Sequence, residues 1–213
     1  MTAPGTAALD PHAVPDLRER RRLATQAEIE HAALELFAQH GSERTTVDDI
    51  AAAAGVSQRT FFRYFATKED AALGANRAFD AALAERVEAR VGDATALRDL
   101  EDAVADVLGE MSAESGSIGR MLRVRCLVME DAGLRGALLR LDAEQSRAFF
   151  RRIASATGSA TVDLRTRVIS EALGAGLRAA LDDWAGRRDR GEEADLVAIY
   201  RQTCATLRDV TAG

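Results

Sequence analysis

The sequence predicts an all-α protein, on three observations. From Ile29 onwards apolar residues return at intervals of three and four, the spacing of one helix face. Helix start and stop signals punctuate that pattern, with Thr or Ser before its apolar runs and Gly after them. No stretch alternates apolar and polar residues for long enough to make a half-buried strand.

The first sixteen residues hold all three prolines (Pro4, Pro11, Pro15) and read as a flexible tail. RERRR at 18–22 is either a solvated helix end or an arm that lies along a DNA groove. Thr25 and Glu28 have capping-box spacing, Ile29, Ala32, Ala33, Leu36 and Phe37 form one apolar face, and Gly41 ends the helix. Thr46 with Asp49 starts a short second helix, VDDIAAAA, that stops at Gly55. Ser57 caps a third helix from Gln58 to about Phe65, and Thr67 caps a fourth that continues through Leu73, Phe79 and Leu83 towards Val91. Leu97, Leu100, Val104, Val107, Leu108 and Met111 make a further stripe, and Leu134, Leu138, Leu141, Phe149 and Ile153 another. Between them RMLRVRCLVMED is apolar on more than one side, as a central buried helix would be, and two last helices fit 163–187 and 193–211.

Composition narrows the function. The 213 residues are 47% apolar and 29% charged with both signs interspersed, the profile of a folded globular chain. No run reaches the roughly 20 apolar residues that span a bilayer, and no secretory signal opens the chain, so no membrane partner and a cytoplasmic location are expected. Cys126 and Cys204 stand far apart without metal-ligand spacing, and no histidine follows His40, so neither a zinc site, a cofactor nor a Cys/His or Ser/His catalytic pair is expected. A net charge of −6 excludes a uniformly cationic nucleic-acid binder but not a local basic surface. One such surface stands out. GVSQRTFFRYFATKED, residues 55–70, packs four of the ten aromatic residues into five positions beside Arg59, Arg63 and Lys68, the one lysine of the chain.

Short helix, glycine turn, short helix is the helix-turn-helix arrangement. Ala51 is small where the helices cross, Gly55 sits where the turn needs a positive φ, and Ile50, Val56 and Phe61 supply the buried wedge. On a helical wheel Phe61 and Phe65 share one side, with Arg59 and Arg63 opposite. Gln58, Arg59 and Thr60 lie at the N-terminal end, which meets base edges when a recognition helix enters the major groove. Arginine pairs bidentately with guanine and glutamine with adenine, each worth about 1–3 kcal/mol of discrimination.

The run TTVDDIAAAAGVSQRTFFRYFATKEDAAL resembles the N-terminal DNA-binding domain of TetR-family transcriptional regulators. The resemblance implies a helix-turn-helix domain over 17–72 and an effector-binding, dimerising helical domain over 73–213. It implies phosphate contacts from Thr46, Tyr64 and Lys68, a groove-facing set of Ser57, Gln58, Arg59, Thr60 and Arg63, and a double-stranded operator as partner. Phe62 stands where many relatives carry a phosphate-binding tyrosine, so it packs on a sugar or a thymine methyl instead. A helical adaptor whose helix-turn-helix binds protein is the alternative, and steep salt dependence of DNA binding separates the two.

The second domain resembles the family in architecture alone. Ala172, Ala175, Gly176, Ala179 and Ala180 let helices approach closely, and in relatives such helices pair into a homodimer. Met111, Leu122, Cys126, Met129, Phe149 and Trp184 are the candidate lining of an apolar effector cavity. Arg120, Arg123 and Arg125 cluster on the central helix, where a buried arginine needs an anion, and Glu130 and Asp131 are the nearest partners in sequence. RMLRVRCLVMEDAGLRGALL resembles actinobacterial members proposed to bind acyl-CoA-like ligands, which makes a lipophilic or acyl-CoA-like effector the expectation, with Arg125 among its contacts.

Overall fold

A computed structural model describes residues 17–88, 97–114, 116–156 and 163–212. The tail expected over 1–16 and the helix end expected towards Val91 lie outside them. Among the described residues there are ten helices and no strand.

Helix α1 (Leu17–His40) begins eight residues before Thr25, so the capping box expected at Thr25 and Glu28 does not form. The basic run forms the first part of the helix, and its last residue finds partners about one turn away on either side. Arg22 lies 2.7 Å from Glu19 and reaches Gln26 at 3.5 Å. Gly41 ends α1 with φ +78°, its N–H donating to the Phe37 carbonyl at 2.8 Å.

Helix α2 (Val47–Ala53) carries the expected Thr46–Asp49 capping box. Its other end closes on Gly55, at φ +65°, whose N–H donates to Ala52 O (3.1 Å) while that of Val56 donates to Ala51 O (2.9 Å). That paired closure satisfies two carbonyls the helix end would leave bare. Ser57 then caps α3 (Gln58–Tyr64) by accepting from Thr60 N at 3.1 Å.

Thr67 and Asp70 form a capping box on α4 (Lys68–Ala72), but the long fourth helix expected from sequence is broken. It stops at Leu73, and α5 (Gly74–Glu88) starts anew. A tertiary contact sits at the break: the carboxylate end of Glu30 on α1 fills the space beside Gly74, where a Cβ would lie 2.2 Å from Glu30 Cδ. The break lets α4 pack on α1 while α5 turns towards the rest of the molecule.

There follow α6 (Leu97–Ala113), α7 (Ser117–Glu130), α8 (Ala132–Ala156), α9 (Leu164–Asp189) and α10 (Leu196–Ala212). Two cores result. One joins Ile29, Phe37, Ile50, Phe61, Phe65 and Leu73 to Val124 and Val128 of α7 and to Leu134, Leu138 and Leu141 of α8. The other gathers Phe79, Val104, Leu108, Met121, Leu181, Trp184 and Tyr200 from α5, α6, α7, α9 and α10. The helix-turn-helix thus shares its interior with two helices of the C-terminal region. Each large buried side chain contributes about 1.5–3 kcal/mol, so that shared interior is substantial.

Candidate nucleic-acid interface and effector cavity

Two-facedness of α3 follows from its sequence. Phe61 and Phe65 are buried with ring centroids 5.8 Å apart, and they hold the helix by one side. Ser57, Gln58, Arg59 and Arg63 are exposed, and no acidic residue occurs between Ser57 and Lys68. Phe62, 53% exposed, meets Phe61 edge to face at 5.5 Å, so an aromatic ring stands half exposed on the outer side. Thr60 is half-buried, its hydroxyl 2.9 Å from that of Ser57, and the Arg63 guanidinium lies 5.2 Å from the half-buried Tyr64 ring. Among the described residues no hydrogen bond or ion pair ties down Arg59.

The phosphate-contact set is partly occupied from within. The Thr46 hydroxyl donates to Asp49 Oδ2 at 2.7 Å, and this bond, with one from the Thr46 backbone, holds the Asp49 carboxyl below its ordinary range. Lys68 Nζ donates to the carbonyls of Ser42 (2.6 Å) and Thr45 (2.9 Å). Two of its three donors therefore strap the loop between α1 and α2 to the start of α4.

A second strap was not foreseen. Asp131, between α7 and α8, accepts from Ser42 N (2.7 Å), Ser42 Oγ (2.6 Å) and Leu134 N (2.8 Å). It caps α8 and grips the α1–α2 loop at once. Burial pushes its carboxyl up, but the bonds from the Ser42 side chain and from backbone amides outweigh that and hold it below the usual range. Arg123 of α7 pairs with Glu35 of α1 close by. The arginine cluster thus finds partners other than Glu130 and Asp131: Arg123 takes Glu35, Arg125 takes Asp182 at 3.5 Å, and Arg120 donates to Ser117 Oγ at 3.2 Å.

A cavity of about 170 Å³ lies between α5, α6, α7, α8 and α9. Of the residues expected to line one, only Arg125 and Phe149 do. Met111 and Trp184 are buried in the second core, Leu122 and Cys126 pack against it, and Met129 is 42% exposed. The apolar walls come instead from Phe79, Leu83, Val104, Phe149, Phe150 and Leu177. One wall is polar, with Asn76, Asp80, Arg125, Asp142 and Arg178. Asp142 lies 3.4 Å from Arg178. Asp80 has no such partner among the described residues, and burial, then the like charge of Asp142, push its carboxyl up to about 7, against the pull of Arg125 and Arg77.

The family model for bacterial regulatory proteins, tetR family, matches residues 29–73. The HTH-type transcriptional regulator TcmR of Streptomyces glaucescens is 36% identical over 191 residues, covering 87% of this chain and 84% of that one. In fold, a TetR-family transcriptional regulator from Syntrophomonas wolfei superposes with TM-score 0.58 at 16% identity, over 90% of this chain and 97% of that one. NalD, the secondary repressor of the MexAB-OprM multidrug efflux pump in Pseudomonas aeruginosa, gives 0.55 at 21% identity, over 89% and 96%.

Proposed function

The chain belongs to the TetR family of bacterial transcriptional regulators, and from that premise we propose a homodimeric repressor that reads a palindromic operator through α3 and leaves it when a lipophilic ligand fills the cavity. The observation that carries this is the double membership of α7. Val124 and Val128 sit in the core of the helix-turn-helix, while Met121 and Arg125 of the same helix wall the cavity. A ligand that prefers one placement of α7 therefore has a physical route to α3, and a coupling of about 1–3 kcal/mol would weaken DNA binding some 5- to 150-fold.

In this reading Gln58, Arg59, Thr60 and Arg63 face the groove, with Ser57 at their start, and Phe62 packs on a sugar or a thymine methyl. Thr46, Tyr64 and Lys68 stay near phosphates, though Thr46 and Lys68 must share their donors with bonds already made. The dimer face runs along α9. Leu164, Val168, Ala175 and Ala179 are exposed at helical spacing, and Val210 of α10 is exposed too. Two copies paired there set recognition helices about one DNA turn apart. Among the described residues no helix is long and apolar enough to cross a membrane. An acyl-CoA-like effector fits less well, because the two cations of the polar wall, Arg125 and Arg178, already face Asp182 and Asp142.

The test is a footprint and a salt titration on DNA flanking the coding region, with Arg59→Ala beside the native chain. A protected palindrome, steep loss of affinity with salt, and relaxed base preference in the variant are expected. No protected site and a flat salt response would instead favour the protein-binding adaptor.

A further inference from the structure

One carboxylate of the cavity wall, Asp80, has no ion pair among the described residues. Arg178 faces Asp142, Arg125 faces Asp182, and Arg77 of α5 faces Asp70 at 2.7 Å. Asp80 is left over, and it points the polar wall towards a cation. Two further atoms of the described lining lack partners. Asn76, 6% exposed, has its Oδ1 acceptor unsatisfied, and Arg125, 4% exposed, has its Nε donor unsatisfied. Both residues line the cavity. Asn76 and Asp80 are four residues apart on α5, so they stand one above the other on the same side of the helix. An acceptor and a carboxylate so placed form a two-point receptor for N–H donors, and the apolar walls of Phe79, Leu83, Phe149 and Phe150 stand beside it.

We propose that the cavity takes an amphipathic amine, its protonated nitrogen against Asp80 and Asn76 and its hydrocarbon body against the phenylalanines. The proposal rests on the reading of this cavity as the effector site and specifies the chemical class of the effector. A carboxylate ligand fits less well, since both guanidiniums of the wall already have acid partners. A neutral alcohol satisfies Asn76 but gives Asp80 no ion-pair partner. The orphaned Arg125 Nε is met by water or by an oxygen of the ligand.

Acidity gives the proposal a signature. Asp80 is faced by Arg77 from its own helix, Arg125 from α7 and Asp142 from α8, and the balance leaves its carboxyl at about 7. Below that pH it is protonated and offers no charge to an amine. With a value near 7, the ionised fraction falls about tenfold between pH 8 and pH 6, and amine affinity should fall with it.

The experiment is calorimetric titration of the full-length protein with 2-(2-naphthyl)ethylamine, the matching alcohol and the matching carboxylate. At pH 8 the amine should bind at least tenfold tighter than the alcohol, and the carboxylate weakest. Amine binding should weaken about tenfold at pH 6 while alcohol binding holds. Asp80→Asn should equalise amine and alcohol at both pH values, and Asp142→Asn, which removes the partner of Arg178, should preserve the amine preference. Equal binding of amine and alcohol by the native chain, or an amine preference that survives Asp80→Asn, would overturn the amine assignment while leaving the cavity as an effector site. Failure of all three to bind would overturn both.

Discussion

Replacing Asp131 tests whether the C-terminal helices hold the helix-turn-helix in place. Its carboxylate accepts three hydrogen bonds, two from the buried Ser42 and one from Leu134 N. Bonds to a charged acceptor are worth about 1.5–3 kcal/mol each, but the three share one group and are not additive. Asp131→Ala should therefore cost about 3 kcal/mol, which for a protein of this size lowers the melting temperature by about 6–12 °C. Asp131→Asn is the sharper variant. Its amide NH₂ must replace either Oδ2, where it meets Ser42 N–H, or Oδ1, where it meets Leu134 N–H, so one donor is orphaned whichever way it turns. That costs about 1–2 kcal/mol with the shape preserved. Because the folded carboxyl is held below its ordinary range, the strap is fully present at pH 7 and is lost only as pH falls below about 4. Urea denaturation at one fixed protomer concentration measures the first effect, and operator affinity of the ligand-free protein, expected to weaken about five- to tenfold, measures the second. Native-like stability and affinity in Asp131→Asn would refute the strap.

Three other substitutions separate roles that the geometry entangles. Lys68→Ala should lower stability by about 1–3 kcal/mol through loss of its two carbonyl bonds, and only if the ammonium also meets a phosphate will the slope of log affinity against log salt shrink by about 0.9. Asp80→Asn should be neutral near pH 4 and stabilising by a few kcal/mol at pH 8. The folded carboxyl titrates at about 7 against 3.8 in its ordinary state, so its burial is harmless below 3.8 and costs stability as pH rises towards 7; chemical denaturation at the two pH values checks this. Gly55→Ala meets no atom within 4 Å and should lose about 1–2 kcal/mol from its φ of +65° alone, again by denaturation.

Legibility in the sequence tracks the range of the forces. Thr46, Ser57 and Thr67 were readable as caps because each acts on an amide three residues away. Phe61 and Phe65 were readable as core by their spacing. The break at Leu73 was not, because the side chain that packs beside it, Glu30, is more than forty residues distant. Nor was the inward use of Lys68, whose acceptors lie 23 and 26 residues away. Two signals were present and passed over. Asp131 precedes Leu134 at the spacing of an N-cap. Asn76, Phe79, Asp80, Leu83, Ala84 and Val87 form a stripe at helical spacing in which two polar residues sit among apolar ones, and all six line the cavity. On α7 Arg125 lines the cavity while Leu122, Cys126 and Met129 do not, because a helix buried on more than one side gives no periodicity from which to choose the wall.

That same double burial is what would make α7 a transmitter. At 100° per residue Met121 and Arg125 lie 40° apart and form one stripe, while Val124 and Val128 form a second whose centre is about 60° away. Neither stripe can turn without the other. A rotation of about 15° by a ligand against Arg125 would shift a side chain about 5 Å from the helix axis by about 1 Å. A close-packed interior does not absorb 1 Å by smooth compression, so the core around Val124 and Val128 must repack or move as a block. Phe61 belongs to that core. The reading helix is thereby fixed to the same packing that the ligand displaces, and the wedge that orients α3 for DNA is also the point through which the displacement would reach it.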